Sequence, residues 1–263
     1  MKKIKKDKII PSKLNTYFTN NPHKTWEEFT KGNKNRYKDV IKQIKEDQGA
    51  ICCYCENNFH NQKDKEGDFR IEHFHPKSDN SNLSMNWNLI WTNLLGCCSG
   101  GNQNISNPDF LLERYIPNHE DRHCDVLKDD NIWDDEILNP LYDIPAFPPI
   151  FRISSDGEMS VLEQNCHDAD IDIIKAKNCL DKNRLNLNSP FLKDWRRDVI
   201  NNLRDEISEI FTLTEDFENA VKTVLSAHLE KDANENYSAF FTTIRSYFAE
   251  DAEEFLKLNG YDG

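Results

Sequence analysis

A glutamate and a histidine stand side by side in the segment 71–76, which reads Ile-Glu-His-Phe-His-Pro. The carboxylate of Glu72 can hold a hard divalent cation, and the imidazole of His73, neutral near pH 7, can take a proton from water. The cation would then stabilise the charge that builds on a phosphate and its leaving oxygen. An isolated pair of this kind is more often a surface histidine beside a solvated glutamate, so the surrounding residues decide its meaning. His75 is a further candidate metal ligand if the strand continues past Phe74.

The eight cysteines are the second chemical feature. In a reducing compartment, metal thiolates explain clustered cysteines better than disulfides do. Four thiolates around zinc require two close pairs that the fold brings together. Cys52 and Cys55 form one C-x-x-C pair, and the second pair is split between Cys98, or its neighbour Cys97, and Cys124. The spacing therefore predicts a four-cysteine zinc site, with Cys53 left open as an alternative to Cys52.

Two further cysteines, Cys166 and Cys179, stand alone in the sequence. Isolated cysteines usually behave as small buried hydrophobic side chains. We therefore expect neither of them to bind metal.

Five motifs surround the glutamate–histidine pair in a definite order. They are Cys52-Cys-Tyr-Cys55-Glu56, Ile71-Glu-His-Phe-His-Pro-Lys-Ser78, Trp87-Asn-Leu89, Cys98-Ser-Gly-Gly101 and His123-Cys-Asp-Val-Leu-Lys128. In this order they resemble the HNH nucleases of Septu and type I-A retron anti-phage systems, the PtuB family. The resemblance covers roughly residues 1–200 and includes the Leu185-Asn-Leu-Asn188 stretch before Arg196 and Arg197, and five ordered motifs are far more specific than any one of them.

The resemblance implies a ββα-metal fold and a role for each matching residue. His73 matches the general base, Glu72 the carboxylate that helps to hold the catalytic cation, and Asn88 the central asparagine. The amide of that asparagine would hold the backbone of the loop that carries the base. The matching zinc ligands are Cys52, Cys55, Cys98 and Cys124.

One position departs from the wider HNH pattern, in which a histidine or asparagine follows the last cysteine and binds the catalytic metal. Asp125 stands there instead. Its carboxylate is a competent hard-oxygen ligand, which favours Mg²⁺ or Mn²⁺ over a second zinc at the catalytic position. Lys128, three residues on, is expected to be an ordinary solvated lysine rather than a phosphate contact.

The elements that would position these residues follow from local patterns. Thr25 and Glu28 form a capping box that starts an amphipathic helix from about 26 to 47, and residues 69–74 alternate as a strand does. Asp156-Gly157 predicts a hairpin with a type I′ turn. Helical spacing follows over residues 168–186, 190–213, 215–230 and 236–258.

The predicted fold class is therefore α+β, mostly helical, with an embedded ββα-metal motif held by the four-cysteine zinc site. Residues 50–130 contain few aliphatic side chains, and a domain of this composition needs a structural metal to be stable. We expect three regions: a basic segment and helix over 1–49, a zinc-bound nuclease core over 50–149, and a hairpin with acidic helices over 150–263.

The net charge of −13 is unevenly distributed along the 263 residues, because residues 1–48 carry a balance of +7 and the remainder a balance of −20. An acidic body weakens nonspecific attraction to phosphates and favours a basic partner that helps to hold the substrate. The basic N-terminal run either touches phosphates or forms a solvated tail. No apolar stretch is long enough for a membrane span or a secretory signal, so we expect a cytoplasmic protein.

The sequence thus predicts a metal-dependent HNH endonuclease that cleaves phosphodiester bonds in DNA or RNA and contains structural Zn²⁺ and a catalytic Mg²⁺ or Mn²⁺. The resemblance implies that it is the effector of an anti-phage complex with a partner ATPase of the Septu type. In the retron form of this anti-phage complex, the assembly also contains a reverse transcriptase and its small DNA. The alternative is a catalytically inactive, zinc-stabilised interaction module in which Glu72 and His73 are surface residues.

Overall fold

The computed structural model describes residues 1–6, 10–59, 69–82, 84–101 and 119–263. Part of the predicted nuclease core, residues 60–68, 83 and 102–118, lies outside this description. Within the described ranges the structure is mixed α and β: helices make up a little under half of it, and two small antiparallel sheets accompany them. No helix in these ranges is both long and apolar enough to cross a membrane.

The first helices are α1 (Ser12–Asn20), α2 (Trp26–Lys31) and α3 (Lys34–Gln48). The predicted capping box at Thr25 and Glu28 is confirmed, since each side chain bonds the backbone N–H of the other residue. The single helix predicted over 26–47 is wrong, because it breaks at Gly32 and Asn33. Asn33 has an extended backbone, and its side chain accepts a hydrogen bond from Asn35 N, so it caps a new helix.

The first six residues do not form a solvated tail. Lys2 is 5% exposed and Ile4 2% exposed, and the Ile4 N–H donates to the carbonyl of Pro140 at 2.9 Å. Lys6 places its ammonium 3.7 Å from the ring centroid of Trp91. The apolar stems of lysines can cover hydrophobic surface, and this segment is folded against the body of the protein in that way.

The predicted strand near residue 70 is confirmed as β1 (Arg70–His73), which pairs antiparallel with β2 (Leu94–Cys97). In the register of this hairpin, Glu72 lies opposite Leu95 and His73 opposite Leu94. A short 3₁₀ turn, Trp91–Asn93, leads into β2, and the short helix α4 (Asp125–Lys128) follows Cys124.

Helix α3 is joined to the hairpin through Gln48 and Gly96. The Gln48 amide accepts a hydrogen bond from Gly96 N at 2.6 Å and donates to Gly96 O at 2.9 Å. A Cβ at Gly96 would come within 2.9 Å of Ile44 and 2.8 Å of Phe69. Only glycine therefore allows α3 to lie this close to the strand that ends in the Cys97–Cys98 pair.

The second hairpin consists of β3 (Phe151–Ile153) and β4 (Met159–Val161), and its existence is confirmed. The predicted type I′ turn is wrong. Ser154 N bonds Glu158 O, Gly157 N bonds Ser154 O, and Gly157 has a φ of +82°. The connection is thus a three-residue loop with glycine in the left-handed position.

The C-terminal helices are α5 (Glu163–Asp168), α6 (Ile173–Leu180), α7 (Pro190–Thr214), α8 (Phe217–Leu229), α9 (Phe241–Phe248) and α10 (Glu250–Leu258). Helices α7 to α10 share a hydrophobic core that includes Leu203, Val224, Ile244 and Leu256. A larger core runs from the N-terminal segment to Phe240 and contains the clustered cysteines. Cys166 and Cys179 are fully buried, as predicted.

Candidate active site and metal centre

The fold brings six metal-ligating side chains from distant parts of the chain into one buried cluster: Cys52, Cys55, Cys97, Cys98, His123 and Cys124. The Sγ atom of Cys52 lies 3.8 Å from that of Cys97 and 3.9 Å from that of Cys124. The Sγ atom of Cys98 lies 3.6 Å from that of Cys55. All of these residues are at most 2% exposed.

Backbone hydrogen bonds hold the three segments of this cluster together. Residues 52–57 form a tight turn in which Cys52 N bonds Asn57 O, while Cys53 N bonds Gly96 O at the end of the first hairpin. The N–H of Cys98 points at the sulfur of Cys52, 3.4 Å away. Cys124 N bonds Leu185 O, which ties the third segment to the loop before α7.

The spacing of the sulfurs fits a tetrahedral metal. Zinc–thiolate bonds of about 2.3 Å at tetrahedral angles place neighbouring sulfurs about 3.8 Å apart. Burial raises the pKa of the Cys97 and Cys124 thiols well above the usual value, so a metal ion has to displace their protons. The cluster can therefore hold a metal ion such as zinc.

Glu72 extends from β1 toward this side of the hairpin and is 6% exposed. Its Oε1 accepts a hydrogen bond from the Tyr54 hydroxyl at 3.1 Å and lies 3.2 Å from the Lys128 ammonium. Burial raises the pKa of Glu72, and the positive charge of Lys128 opposes that shift. The expectation that Lys128 is solvated is wrong: its exposure is 0%, because the ion pair with Glu72 compensates its desolvation.

Asp125, the first residue of α4, lies close enough to Glu72 for their charges to interact. Burial raises the pKa of Asp125 to about 7, and the negative charge of Glu72 adds to the rise. Arg70 contacts one carboxylate oxygen of Asp125 at 3.5 Å, and the thiol of Cys97 contacts the other at 3.5 Å. The charges of the two carboxylates that the sequence analysis selected thus act on each other.

His73 lies on the other face of the hairpin, because successive side chains of a strand point to opposite faces. Its ring packs edge-on against Trp26, with centroids 5.3 Å apart. Its Nε2 lies 3.2 Å from the backbone carbonyl of Asn88. A carbonyl only accepts, so Nε2 carries the proton and Nδ1 keeps its lone pair. Burial lowers the pKa of His73 to about 4, which keeps the imidazole neutral near pH 7.

Comparison with known proteins gives one informative result. No protein-family model and no solved structure matches the chain. A protein from Escherichia coli named "Retron Ec83 putative HNH endonuclease" is 31% identical over 193 residues, which are 68% of this chain and 72% of the relative. The chain belongs to this family of retron HNH endonucleases. HNH nucleases act on nucleic acid, and the family therefore supports a nuclease.

In this chain, two asparagines hold the loop that follows β1. Asn88, the predicted central asparagine, donates from Nδ2 to the carbonyl of Lys77 at 3.1 Å and accepts from Trp26 N at 3.1 Å. Asn93 is more deeply buried and was missed by the sequence analysis. It accepts from His75 N at 2.7 Å and donates to the carbonyls of His75 and Trp87, both at 2.9 Å. In the sequence, only the position of Asn93 directly before β2 pointed to this role.

His75 contributes to the loop rather than to the cysteine cluster. Its two ring nitrogens contact carboxylates of Asp79 at 2.9 Å and Asp134 at 2.8 Å, and its ring stacks on Trp87. Both nitrogens are thus engaged within the protein. This arrangement ties the loop after β1 to the segment that follows α4.

The structure also shows which of the cysteines lie close together. The four predicted ligands all lie in the cluster, together with Cys97 and His123, but Cys52 and Cys55 belong to different groups of ligand atoms within 4.8 Å of one another. Cys53 belongs to neither group. His123 was missed because no pattern of the sequence links it to Cys98, which is 25 positions away, or to the more distant Cys55. Its position directly before Cys124 was the available hint.

Proposed function

We propose that this protein is a metal-dependent endonuclease that hydrolyses phosphodiester bonds in nucleic acid, with His73 as the general base. The observation that carries the proposal is the state of His73: Nε2 is fixed on the Asn88 carbonyl, and Nδ1 of a neutral ring is left to accept a proton from water. The family of the chain supports the same reaction.

The proposed catalytic cation is Mg²⁺ or Mn²⁺, held by Glu72 and Asp125. Among the described residues, neither carboxylate belongs to a group of three or more protein ligands within 4.8 Å of one another. This fits Mg²⁺, which proteins commonly bind through one or two carboxylates, with the substrate phosphate completing the coordination. Such an ion would supply charge stabilisation to the phosphate and its leaving oxygen.

The structural ion is proposed to be zinc, bound within the cluster by the four predicted ligands Cys52, Cys55, Cys98 and Cys124. Their role in this proposal is to fix the turn 52–57, the end of β2 and the start of α4 relative to one another. That arrangement sets the positions of Glu72 and Asp125.

The test is cleavage of plasmid DNA and of structured RNA by the purified chain, with Mg²⁺ or Mn²⁺ present and then removed. His73→Ala should reduce cutting by at least about 100-fold, the usual contribution of a general base, with zinc content unchanged. His167→Ala, at a side chain that is 81% exposed, is the matched control and should cut normally.

One observation favours the alternative of an inactive, zinc-stabilised interaction module. The Glu72 carboxylate is already paired with Lys128 and hydrogen-bonded to Tyr54, as a purely structural carboxylate would be. If neither nucleic acid is cut, with or without partner proteins, and zinc is the only metal bound, this alternative is correct.

The wider context of the proposal is an anti-phage complex. The retron in the relative's name supports an assembly with a reverse transcriptase and its small DNA, and the motif resemblance supports a partner ATPase of the Septu type and membership of the PtuB family. The acidic helices within 129–263 are the proposed docking surface for that ATPase. Reversing exposed charges such as Glu215, Glu218 and Asp251 should abolish co-purification, and unchanged binding would exclude this surface.

A further inference from the structure

The buried ligand cluster contains two overlapping sets of four. The first set is Cys52, Cys97, Cys98 and Cys124, and the second is Cys55, Cys98, His123 and Cys124. Within each set, all four ligand atoms lie within 4.8 Å of one another. Four ligands are what a structural zinc ion requires, and the two sets share Cys98 and Cys124.

We infer that the cluster binds two zinc ions, bridged by the thiolates of Cys98 and Cys124. Cys52 and Cys97 are the terminal ligands of one ion, and Cys55 and His123 are the terminal ligands of the other. This revises the single four-cysteine site of the proposed function, because Cys52 and Cys55 would bind different ions, and it leaves the proposed nuclease activity unchanged.

Each set contains short sulfur–sulfur contacts. Contacts of 3.6 to 3.9 Å join Cys52 to Cys97 and to Cys124, within the first set, and Cys55 to Cys98, within the second. The sets thus each contain sulfur pairs at the spacing of tetrahedral zinc. Cys52 and Cys55, which a single zinc site would bind together, do not occur in the same set.

His123 is oriented as a metal-binding histidine is. Its Nδ1 lies 2.7 Å from the backbone carbonyl of Asp121, so Nδ1 carries the ring proton. Nε2 therefore presents its lone pair toward the cluster, 3.8 Å from the sulfur of Cys98. A backbone carbonyl that fixes the tautomer and ring orientation in this way is the usual partner of a zinc-bound histidine. The residue is 2% exposed.

Two ions would also use every ligand of the cluster. A single four-coordinate ion would leave two of the six buried ligands without a metal.

The decisive measurement is the zinc content of the full-length chain. The protein is saturated with Zn²⁺, passed through a desalting column, and analysed by native mass spectrometry together with elemental analysis. Two ions per chain are expected. A saturated value of one ion or fewer would overturn the inference.

Variants distinguish bridging from terminal ligands. His123→Ala should lower the content from two ions to one, and Cys98→Ser should remove both. Cys166→Ser, at a fully buried cysteine outside the cluster, is the matched control and should keep two. Two ions retained in His123→Ala would contradict the assignment of that ligand.

Cadmium NMR of the unmodified chain gives a readout that does not depend on variants folding. Replacement of zinc by ¹¹³Cd should give two thiolate-range resonances that are coupled to each other through the bridging sulfurs. A single resonance, or two without coupling, would exclude the shared thiolates. Neither measurement involves substrate, so each tests the number of bound ions independently of nuclease activity.

Discussion

The least expected residue of the site is Lys128, a lysine with no exposed surface whose ammonium lies 3.2 Å from Glu72. The same ammonium donates to the carbonyl of His73 at 3.3 Å. One cation thus contacts both members of the glutamate–histidine pair, although their side chains lie on opposite faces of β1. The ammonium contacts the carboxylate of Glu72 but only the backbone of His73, so Lys128 holds the strand in place and does not touch the imidazole.

Removal of the Lys128 ammonium should destabilise the protein. Lys128→Met keeps most of the volume but leaves Glu72 buried and unpaired, which costs about 3–5 kcal/mol of unfolding free energy. Urea denaturation measures the effect, with the exposed Lys182→Met as the control. The double variant Lys128→Met with Glu72→Gln should recover much of the loss, and equal loss in both would refute a charge-based cause.

At the scale of elements, α3 positions the hairpin β1–β2 through the hydrogen bonds of Gln48 and through the close approach of Ile44 to Gly96. The Gln48 amide satisfies both backbone groups of Gly96 and also donates to the carbonyl of Ile51 at 2.9 Å. These three bonds join a helix, a strand and the turn that carries Cys52 and Cys55. Local sequence determines each of these elements, but Gln48 determines their relative positions.

Replacement of Gln48 should therefore affect the site from a distance. Gln48→Met leaves the Gly96 N–H buried without a partner, and each such group costs about 1–3 kcal/mol. Thermal or urea unfolding should reveal this loss. Lys38→Met, at an exposed position of the same helix, should be close to neutral. A Gln48 variant as stable as its control would show that packing alone positions the hairpin.

At the scale of the whole molecule, the structure has two hydrophobic cores that are stabilised in different ways. The larger core includes the clustered cysteines, and the smaller core lies among helices α7 to α10 and includes Ile51 from the segment before Cys52. Metal binding in such a cluster contributes directly to folding free energy. The two cores should therefore respond differently when metal is removed.

Chelation of the metal under reducing conditions should loosen the larger core first. Hydrogen exchange followed by mass spectrometry is expected to show loss of protection in 51–58, 94–100 and 123–128. Helices α8 and α10 should keep most of their protection, because aliphatic side chains form their contacts. Uniform loss across the chain, or no loss in the cysteine segments, would contradict the prediction.

Much of the candidate site could be recognised from the sequence, because its chemistry is encoded in short local patterns. The Cys52–Cys55 pair, the alternating strand that carries Glu72 and His73, and the Thr25 capping box each depend on residues within a few positions of one another. The order of five motifs indicated an HNH endonuclease, and the retron relative supports that family. Ligand type, strand period and helix start are local properties, so the sequence by itself determined them.

The tertiary structure determined the features of the site that depend on contacts between distant segments of the chain. It brought Cys97 and His123 into the metal cluster, buried Lys128 beside Glu72, and placed Asn93 on the backbone of the loop after β1. Each of these contacts joins residues 18 or more positions apart. Their burial and pairing depend on how three segments pack around one another, which no local pattern specifies. For that reason the number of ions in the cluster is a property of the fold.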